Sequence, residues 1–185
     1  LEGFCNAPGT AILVFYPGDG VSEIQKRQMI TQRGENVGVC GIQGNFDDAQ
    51  TGVKALFSDP AVQEKMEKAH AFLSSANSIN FGRLVPQIVY YVHAYLTLVE
   101  QGKIRLGDPI RVCVPTGNFG NILAAFMAAR MGLPIERFVC ASNENDVLTE
   151  FIQTGRYNRV RPFHTTISPS MDILISSNLE RLLWY

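Results

Sequence analysis

The chain has 185 residues, of which 46% are hydrophobic and 18% are charged, and its formal net charge is −1. This balance provides no basic surface for nucleic acid or an anionic membrane, so neither is expected as a partner. No stretch reaches the roughly 20 consecutive apolar residues that a membrane-spanning helix needs. The chain is long enough to bury the core of one domain or of two small ones.

The cysteines and histidines give no indication of a metal site. Cys5, Cys40, Cys113 and Cys140 are far apart and form no C-x-x-C pair, which is typical of reduced thiols in a cytoplasmic protein rather than of disulfides or zinc ligands. The three histidines fall on separate segments without ligand spacing. We therefore expect no bound metal ion.

The first 73 residues alternate apolar strand patterns with amphipathic helix patterns. The predicted elements are a strand at 11–16 buried on both faces and closed by a turn at 17–20, a helix from Ser22 to about Gln32, a strand at 37–42, a helix after Asn45 and a helix from Pro60 to about Phe72. Asn45 is a favourable N-cap, and Asp47 and Asp48 suit the first turn of that helix because carboxylates are stabilised there by the helix dipole. This part is predicted to be a small β-α-β-α domain, residues 1–73.

The remaining residues, 74–185, are predicted to form part of a larger domain. The predicted elements are a long, largely buried helix from Asn80 to Gln101, a strand at 110–114, a helix at 121–131, a strand at 138–141, and a helix capped by Asn143 and ended by Gly155. Strands that alternate with helices predict an α/β fold with doubly wound, mostly parallel sheets in three layers. In such folds ligands bind at the carboxyl ends of the strands.

A loop rich in small and polar residues follows the strand at 110–114. This cup loop consists of Thr116, Gly117, Asn118, Phe119, Gly120 and Asn121. A helix start carries unpaired N–H groups and a positive dipole end, the two glycines allow close approach of an anion, and the Thr and Asn side chains add donors. The loop lacks both the lysine of an ATP-binding P-loop and the G-x-G-x-x-G pattern. It is either a phosphate-binding loop, which the polar side chains favour, or simply a tight connection.

A second polar cluster precedes the long helix and consists of Ser78, Asn80 and Arg83. Asn80 suits a helix N-cap, whereas Arg83 one turn later is disfavoured by the helix dipole unless an anion lies nearby. The spacing alone leaves two interpretations open, an anion-binding cluster or a cap with a solvated arginine.

Six segments in this order resemble the threonine synthase family, whose members depend on pyridoxal phosphate and have the tryptophan-synthase-β-like fold of fold type II. The segments are Gly41–Asp48, Ser75–Asn80 with Arg83, Val114–Asn121, Met131–Pro134, Ala141–Asp146 and Ser168–Asp172. The resemblance implies that O-phosphohomoserine and water are converted to threonine and phosphate by β,γ-elimination and replacement. It also implies that the cup loop binds the cofactor phosphate, and that Ser78, Asn80 and Arg83 bind the substrate's phosphate or carboxylate.

The resemblance also implies that the chain is an incomplete, central fragment. A pyridoxal-phosphate enzyme needs a Schiff-base lysine, and the family places it upstream of the residues present here. None of the chain's lysines has the expected context; they are Lys26, Lys54, Lys65, Lys68 and Lys103. We therefore assign no catalytic residue and expect this chain alone to be inactive, with self-association through exposed sheet edges as a further expectation.

Two alternatives remain open. Another fold type II lyase, such as a dehydratase or a cysteine synthase, would share the architecture, although such enzymes generally have a more glycine-rich cup than the Asn-Phe-Gly-Asn found here. A homologue without the lysine could instead be a non-enzymatic phosphate-ligand or protein-binding module. A lysine in a Phe-Lys-Asp context in the flanking sequence would indicate the synthase.

Overall fold

The described residues of the chain contain two separate pairs of parallel strands. The computed structural model describes residues 2–18, 21–78 and 80–185. These residues divide into two units, Leu1–Leu73 and Ser74–Tyr185, each with its own strand pair. Across the described ranges, no helix combines the length and the apolar character that crossing a bilayer requires.

Within its described residues, the first unit contains two strands and three α-helices. They are β1 Ile12–Pro17, α1 Glu23–Ile30, β2 Val37–Ile42, α2 Phe46–Ser58 and α3 Pro60–Lys68. The strands are parallel, with Ile12 opposite Val37 and Pro17 opposite Ile42. Asp19 and Gly20, which belong to the predicted turn after β1, lie outside the described residues.

The start of α2 confirms the predicted cap. The Asn45 side-chain oxygen accepts hydrogen bonds from the N–H groups of Asp47 and Asp48 at 2.8 and 3.0 Å. In return, the Asp48 carboxylate accepts from the Asn45 N–H at 2.8 Å. This reciprocal capping box satisfies N–H groups that have no partner inside the helix. Asp48 therefore has the structural role that the sequence indicated.

Two expectations for this unit are wrong. The strand β1 is not buried on both faces, because Leu13 is 62% exposed. The reason is that β1 and β2 form a two-stranded sheet, which has too few neighbours to cover both of its faces. Helix α3 ends at Lys68 rather than near Phe72, because His70 adopts a left-handed backbone conformation with φ 51° and breaks the helical path.

Two strands and four α-helices make up the part of the second unit that the structure describes. They are α4 Val85–Glu100, β3 Ile110–Pro115, α5 Gly120–Arg130, β4 Ile135–Ala141, α6 Val147–Thr154 and α7 Leu179–Trp184. Short 3₁₀ turns occur at Phe81–Arg83 and Pro169–Met171. β3 and β4 are parallel, with Val114 opposite Cys140 and Pro115 opposite Ala141. The carboxyl ends of both strands therefore meet at one edge.

Helix α5 lies in the core of this unit. Leu123, Ala124 and Ala125 are 0% exposed, and the surrounding core includes residues of α4, α6 and α7. Helix α4 is not largely buried as predicted, since Val89 and Tyr90 are 62% and 61% exposed. Among the described residues of this unit, α5 is the main helix packed against α4, so only one side of α4 is covered. The buried position of α5 fixes its first turn relative to β3.

Candidate functional site

The cup loop begins at the shared edge of β3 and β4. The Thr116 N–H donates to the Ala141 carbonyl at 2.8 Å, which joins the loop to the end of β4. The Thr116 hydroxyl donates to the Val114 carbonyl at 2.7 Å, and the residue is 5% exposed. The Thr116 side chain therefore shapes the loop from inside rather than facing a ligand.

Phe119, rather than a glycine, has the left-handed backbone conformation in the loop. Its φ is 62° and its ψ is 4° at the position directly before α5. This conformation is unfavourable for a bulky residue and persists where the surrounding structure imposes it. Here the Phe119 side chain is 6% exposed and belongs to the hydrophobic core. Core packing therefore holds the loop in its bend.

The two glycines of the loop make room for protein neighbours. A Cβ atom at Gly117 would lie 3.2 Å from the Met171 Cα atom, and one at Gly120 would lie 3.3 Å from the Ser78 Cβ atom. Both distances are tighter than ordinary carbon contacts. The sequence interpretation linked the glycines to the approach of an anion, but the structure shows contacts with the protein at both positions.

Unpaired N–H groups are concentrated at the start of α5. In the part of the chain that the structure describes, none of the backbone N–H groups from 117 to 122 donates to a protein acceptor. Gly117 and Asn118 are half-buried, so these donors lie at a partly enclosed surface. The helix dipole adds positive potential at the same place. The loop therefore fits a phosphate group without a lysine or arginine of its own.

The Asn121 side chain connects two helices. Its oxygen accepts from the Tyr91 hydroxyl at 2.6 Å, and its nitrogen donates to the Gln87 side-chain oxygen at 2.9 Å. Burial raises the pKa of Tyr91, which favours the protonated hydroxyl that this contact needs. Asn121 thus ties the start of α5 to α4, and its side chain is occupied by these two contacts.

The structure places Ser78 beside the cup loop, next to Gly120. Asn80 caps the following 3₁₀ turn, because its side-chain oxygen accepts from the Gly82 N–H at 2.9 Å. The Arg83 side chain is exposed and donates to the Ala76 carbonyl. Ile79, between the first two members of the cluster, lies outside the described residues. Asn80 thus shapes the turn. The exposed Arg83 guanidinium has further N–H groups besides the one that donates to Ala76.

A buried carboxylate organises the chain after β4. Asp172 is 5% exposed and accepts from Asn143 at 2.6 Å and from the Thr166 hydroxyl and N–H at 2.7 and 2.8 Å. Asn143 was predicted to cap α6, and that prediction is wrong. The N-cap residue is Asp146, and the Asn143 amide is used instead in this long-range network.

Sequence reasoning missed three residues that hold the cup loop. Ser176 and Asn178 donate to carbonyls of the loop, and Arg181 donates to Asn178 and to the Ser78 carbonyl. The available signal was a run of polar residues, Ser176 to Asn178, inside an otherwise apolar pattern.

The second unit contains one lysine, Lys103, in the connection between α4 and β3. The cup loop follows the other end of β3, and a six-residue strand is about 20 Å long. Lys103 therefore lies at the wrong end of the strand to reach a ligand at the loop. Among the described residues, no group of three or more His, Cys, Asp or Glu side chains could hold a metal ion.

Comparisons with known proteins link this geometry to one family, although no family model matches the chain. Threonine synthase-like 1 of Homo sapiens is 53% identical over 175 residues, which are 94% of this chain and 24% of that protein. Threonine synthase of Schizosaccharomyces pombe is 43% identical over 195 residues, covering all of this chain and 36% of that protein. The crystal structure of threonine synthase from Escherichia coli superposes with a TM-score of 0.84 at 32% identity, covering 99% of this chain and 40% of that one.

The parallel strand pairs, the cup loop and the structural match define the chain as part of an α/β fold of the threonine synthase type. Over 94–100% of its length the chain is similar in sequence to threonine synthase-like 1 and to threonine synthases. It spans 24% and 36% of the length of the two relatives named above. The family resemblance and the fold class inferred from the sequence are confirmed.

Proposed function

We propose that this chain provides the cofactor-phosphate site of a pyridoxal-phosphate-dependent lyase. The parent protein would be a threonine synthase that converts O-phosphohomoserine and water to threonine and phosphate. The observation that carries the proposal is the set of backbone N–H groups at 117–122, none of which donates to an acceptor within the described residues. They lie at the carboxyl end of β3, where ligands of parallel α/β folds bind.

In this proposal the cup loop, Thr116–Asn121, holds the phosphate through its backbone. Pyridoxal phosphate, when bound, supplies an electron sink for elimination and replacement. The side chains of Thr116 and Asn121 fix the shape of the loop, as their contacts with Val114, Gln87 and Tyr91 indicate. Phe119 anchors the bend in the core.

We assign Ser78, Asn80 and Arg83 to the phosphate or carboxylate of O-phosphohomoserine. The position of Ser78 beside Gly120 and the exposed guanidinium of Arg83 support this assignment. Asn80 would contribute by shaping the turn, since its side chain accepts from Gly82 and donates to Ser74 and Ser75. Arg83 is the group best suited to carry the charge interaction.

The Schiff-base lysine is not assigned to this chain. Lys103 lies at the far end of β3 from the cup loop, and residues 74–185 contain no other lysine. We therefore propose that this chain alone is inactive, that 74–185 belong to the large cofactor-binding domain, and that 1–73 form the small domain. A cytoplasmic location is supported by four free cysteines. Self-association through the edges of the two-stranded sheets stays a prediction.

The test is catalysis by the protein at its full encoded length, saturated with pyridoxal phosphate. We expect O-phosphohomoserine to yield threonine and inorganic phosphate in equal amounts. Activity on serine, threonine or O-acetylserine instead would indicate another lyase of the same fold. Binding of a phosphorylated ligand without turnover of any of these compounds would indicate the non-enzymatic module.

The role of Arg83 is tested in the same assay with Arg83→Gln. Loss of a charge-assisted hydrogen bond is expected to lower kcat/KM for O-phosphohomoserine by about 10- to 100-fold. The matched control is Arg130→Gln, because Arg130 is exposed at the opposite end of α5 from the cup loop. Equal activity of both variants would show that Arg83 does not bind the substrate.

A further inference from the structure

The carbonyl side of the cup loop is held by two side chains, Ser176 and Asn178, which we call the carbonyl clamp. The Ser176 hydroxyl donates to the Gly117 carbonyl at 3.1 Å. The Asn178 side-chain nitrogen and backbone N–H both donate to the Asn118 carbonyl, at 2.9 and 3.1 Å. Two consecutive carbonyls of the loop are therefore fixed by residues that lie about 60 positions further along the chain.

Fixing a carbonyl also fixes the N–H group of the same peptide unit. In a trans peptide the C=O and the following N–H point in opposite directions, and the unit is planar. The described residues contain no cis peptide bond. The clamped carbonyls of Gly117 and Asn118 therefore direct the N–H groups of Asn118 and Phe119 away from the clamp. Neither of these N–H groups has a protein acceptor in the described part of the chain.

The clamp is itself rigidly held. Ser176 is 5% exposed and Asn178 is 0% exposed. The Ser176 N–H donates to the Tyr157 hydroxyl at 2.7 Å, and this hydroxyl donates to the Leu174 carbonyl at 3.0 Å. A buried amide with all its contacts made is costly to rearrange, because each lost hydrogen bond leaves a polar group unsatisfied.

Asn178 also connects the cup loop to the segment that carries Ser78. The Arg181 guanidinium donates to the Asn178 side-chain oxygen at 2.5 Å and to the Ser78 carbonyl at 2.9 Å. Asn178 thus contacts the cup loop through its nitrogen and, through Arg181, the segment that carries Ser78. Two loops that are distant in sequence are held at a fixed separation.

We propose that Ser176 and Asn178 are positioning residues that orient the N–H groups of Asn118 and Phe119 toward the phosphate of the cofactor. This inference rests on the proposed function. The clamp does not touch the ligand; it removes alternative orientations of two peptide units before binding. Such preorganised donors lose little entropy when an anion arrives, which increases affinity for the phosphate specifically.

The experiment compares pyridoxal phosphate with pyridoxal, which has the same ring but no phosphate. Equilibrium titrations use the full-length protein and the variants Ser176→Ala and Asn178→Ala. We expect each variant to bind pyridoxal phosphate about tenfold more weakly, the effect of one lost hydrogen bond, with unchanged affinity for pyridoxal. The control is Tyr95→Phe, which removes a buried hydroxyl that contacts Gly107 at the other end of β3.

Each outcome decides between explanations. A parallel loss of affinity for both compounds, or no loss beyond that of Tyr95→Phe, would overturn the positioning role. If the unsubstituted protein does not prefer pyridoxal phosphate over pyridoxal, the proposed phosphate site fails instead. Ser176→Ala removes one hydroxyl and keeps the backbone contact with Tyr157, so it provides a test even where Asn178→Ala does not fold.

Discussion

Replacing Phe119 by alanine is expected to destabilise the second unit by about 3–5 kcal/mol, the range for a large aromatic residue removed from a core. Phe119 is 6% exposed and packs in the cluster that contains Leu84 and Leu123. Alanine would leave a cavity there and would still carry the cost of the left-handed conformation, at φ 62°. The bend before α5 would then lose the packing that holds it.

Hydrogen exchange of the α5 amides measures this loss within the second unit. The free energy of opening is expected to fall in Phe119→Ala and to change by less than about 0.5 kcal/mol in Phe72→Ala. Phe72 is a suitable control because it is 87% exposed. If the α5 amides have the same opening free energy in both variants, core packing of Phe119 does not support the loop.

Replacing Asp172 by alanine is the second change with a large expected effect, about 3–5 kcal/mol. The carboxylate accepts from Asn143, Asn145 and both donors of Thr166, and it is 5% exposed. Removing it takes away the acceptor of the Thr166 N–H and one of the acceptors of Asn143, of Asn145 and of the Thr166 hydroxyl. A donor left unsatisfied costs about 1–3 kcal/mol before the structure relaxes. The segment that leads to the carbonyl clamp would lose its attachment to the end of β4.

The opening free energy of the α5 amides again gives the measurement, with Glu180→Ala as the control because Glu180 is an exposed carboxylate. Asp172→Asn keeps the size and one acceptor oxygen, so its loss should be smaller than that of Asp172→Ala. If all three substitutions change the opening free energy by equally small amounts, the hydrogen bonds around Asp172 have no structural role. A smaller loss in Asp172→Ala than in Asp172→Asn would also contradict it.

The elements that follow local rules were predictable from the sequence. Val37–Ile42 is the predicted second strand, and the first helix follows Ser22, whose hydroxyl accepts from the Gln25 N–H at 3.2 Å. Asn45 forms the expected cap. These features depend on residues a few positions apart, so the pattern contains the information that determines them.

The features that depend on distant contacts were not predictable. Asn143 was predicted to cap a helix, and Asn178 stands at the N-cap position of α7, but their side-chain amides bind Asp172 and the Asn118 carbonyl rather than a helix terminus. A side chain that can cap a helix can equally satisfy a buried group, and only the tertiary structure decides between them. Phe119 shows the same limit, since its left-handed conformation depends on packing in a core formed by residues distant in sequence.

The extent of burial was also overestimated from apolar patterns. Leu84, directly before α4, and Tyr95 within it are buried, whereas Val89 of the same helix is exposed. An apolar residue in the sequence indicates that a surface can be buried. Whether it is buried depends on which elements pack there, and this unit provides α5 on one side.

Phosphate binding at the cup loop is tested most directly by a crystal structure of the full-length protein with pyridoxal phosphate. We predict phosphate oxygens at about 2.7–3.2 Å from at least three of the backbone nitrogens of Gly117 to Asn121. The clamped N–H groups of Asn118 and Phe119 should be among them. A phosphate bound elsewhere, with the N–H groups of the cup loop facing solvent, would contradict the proposed site.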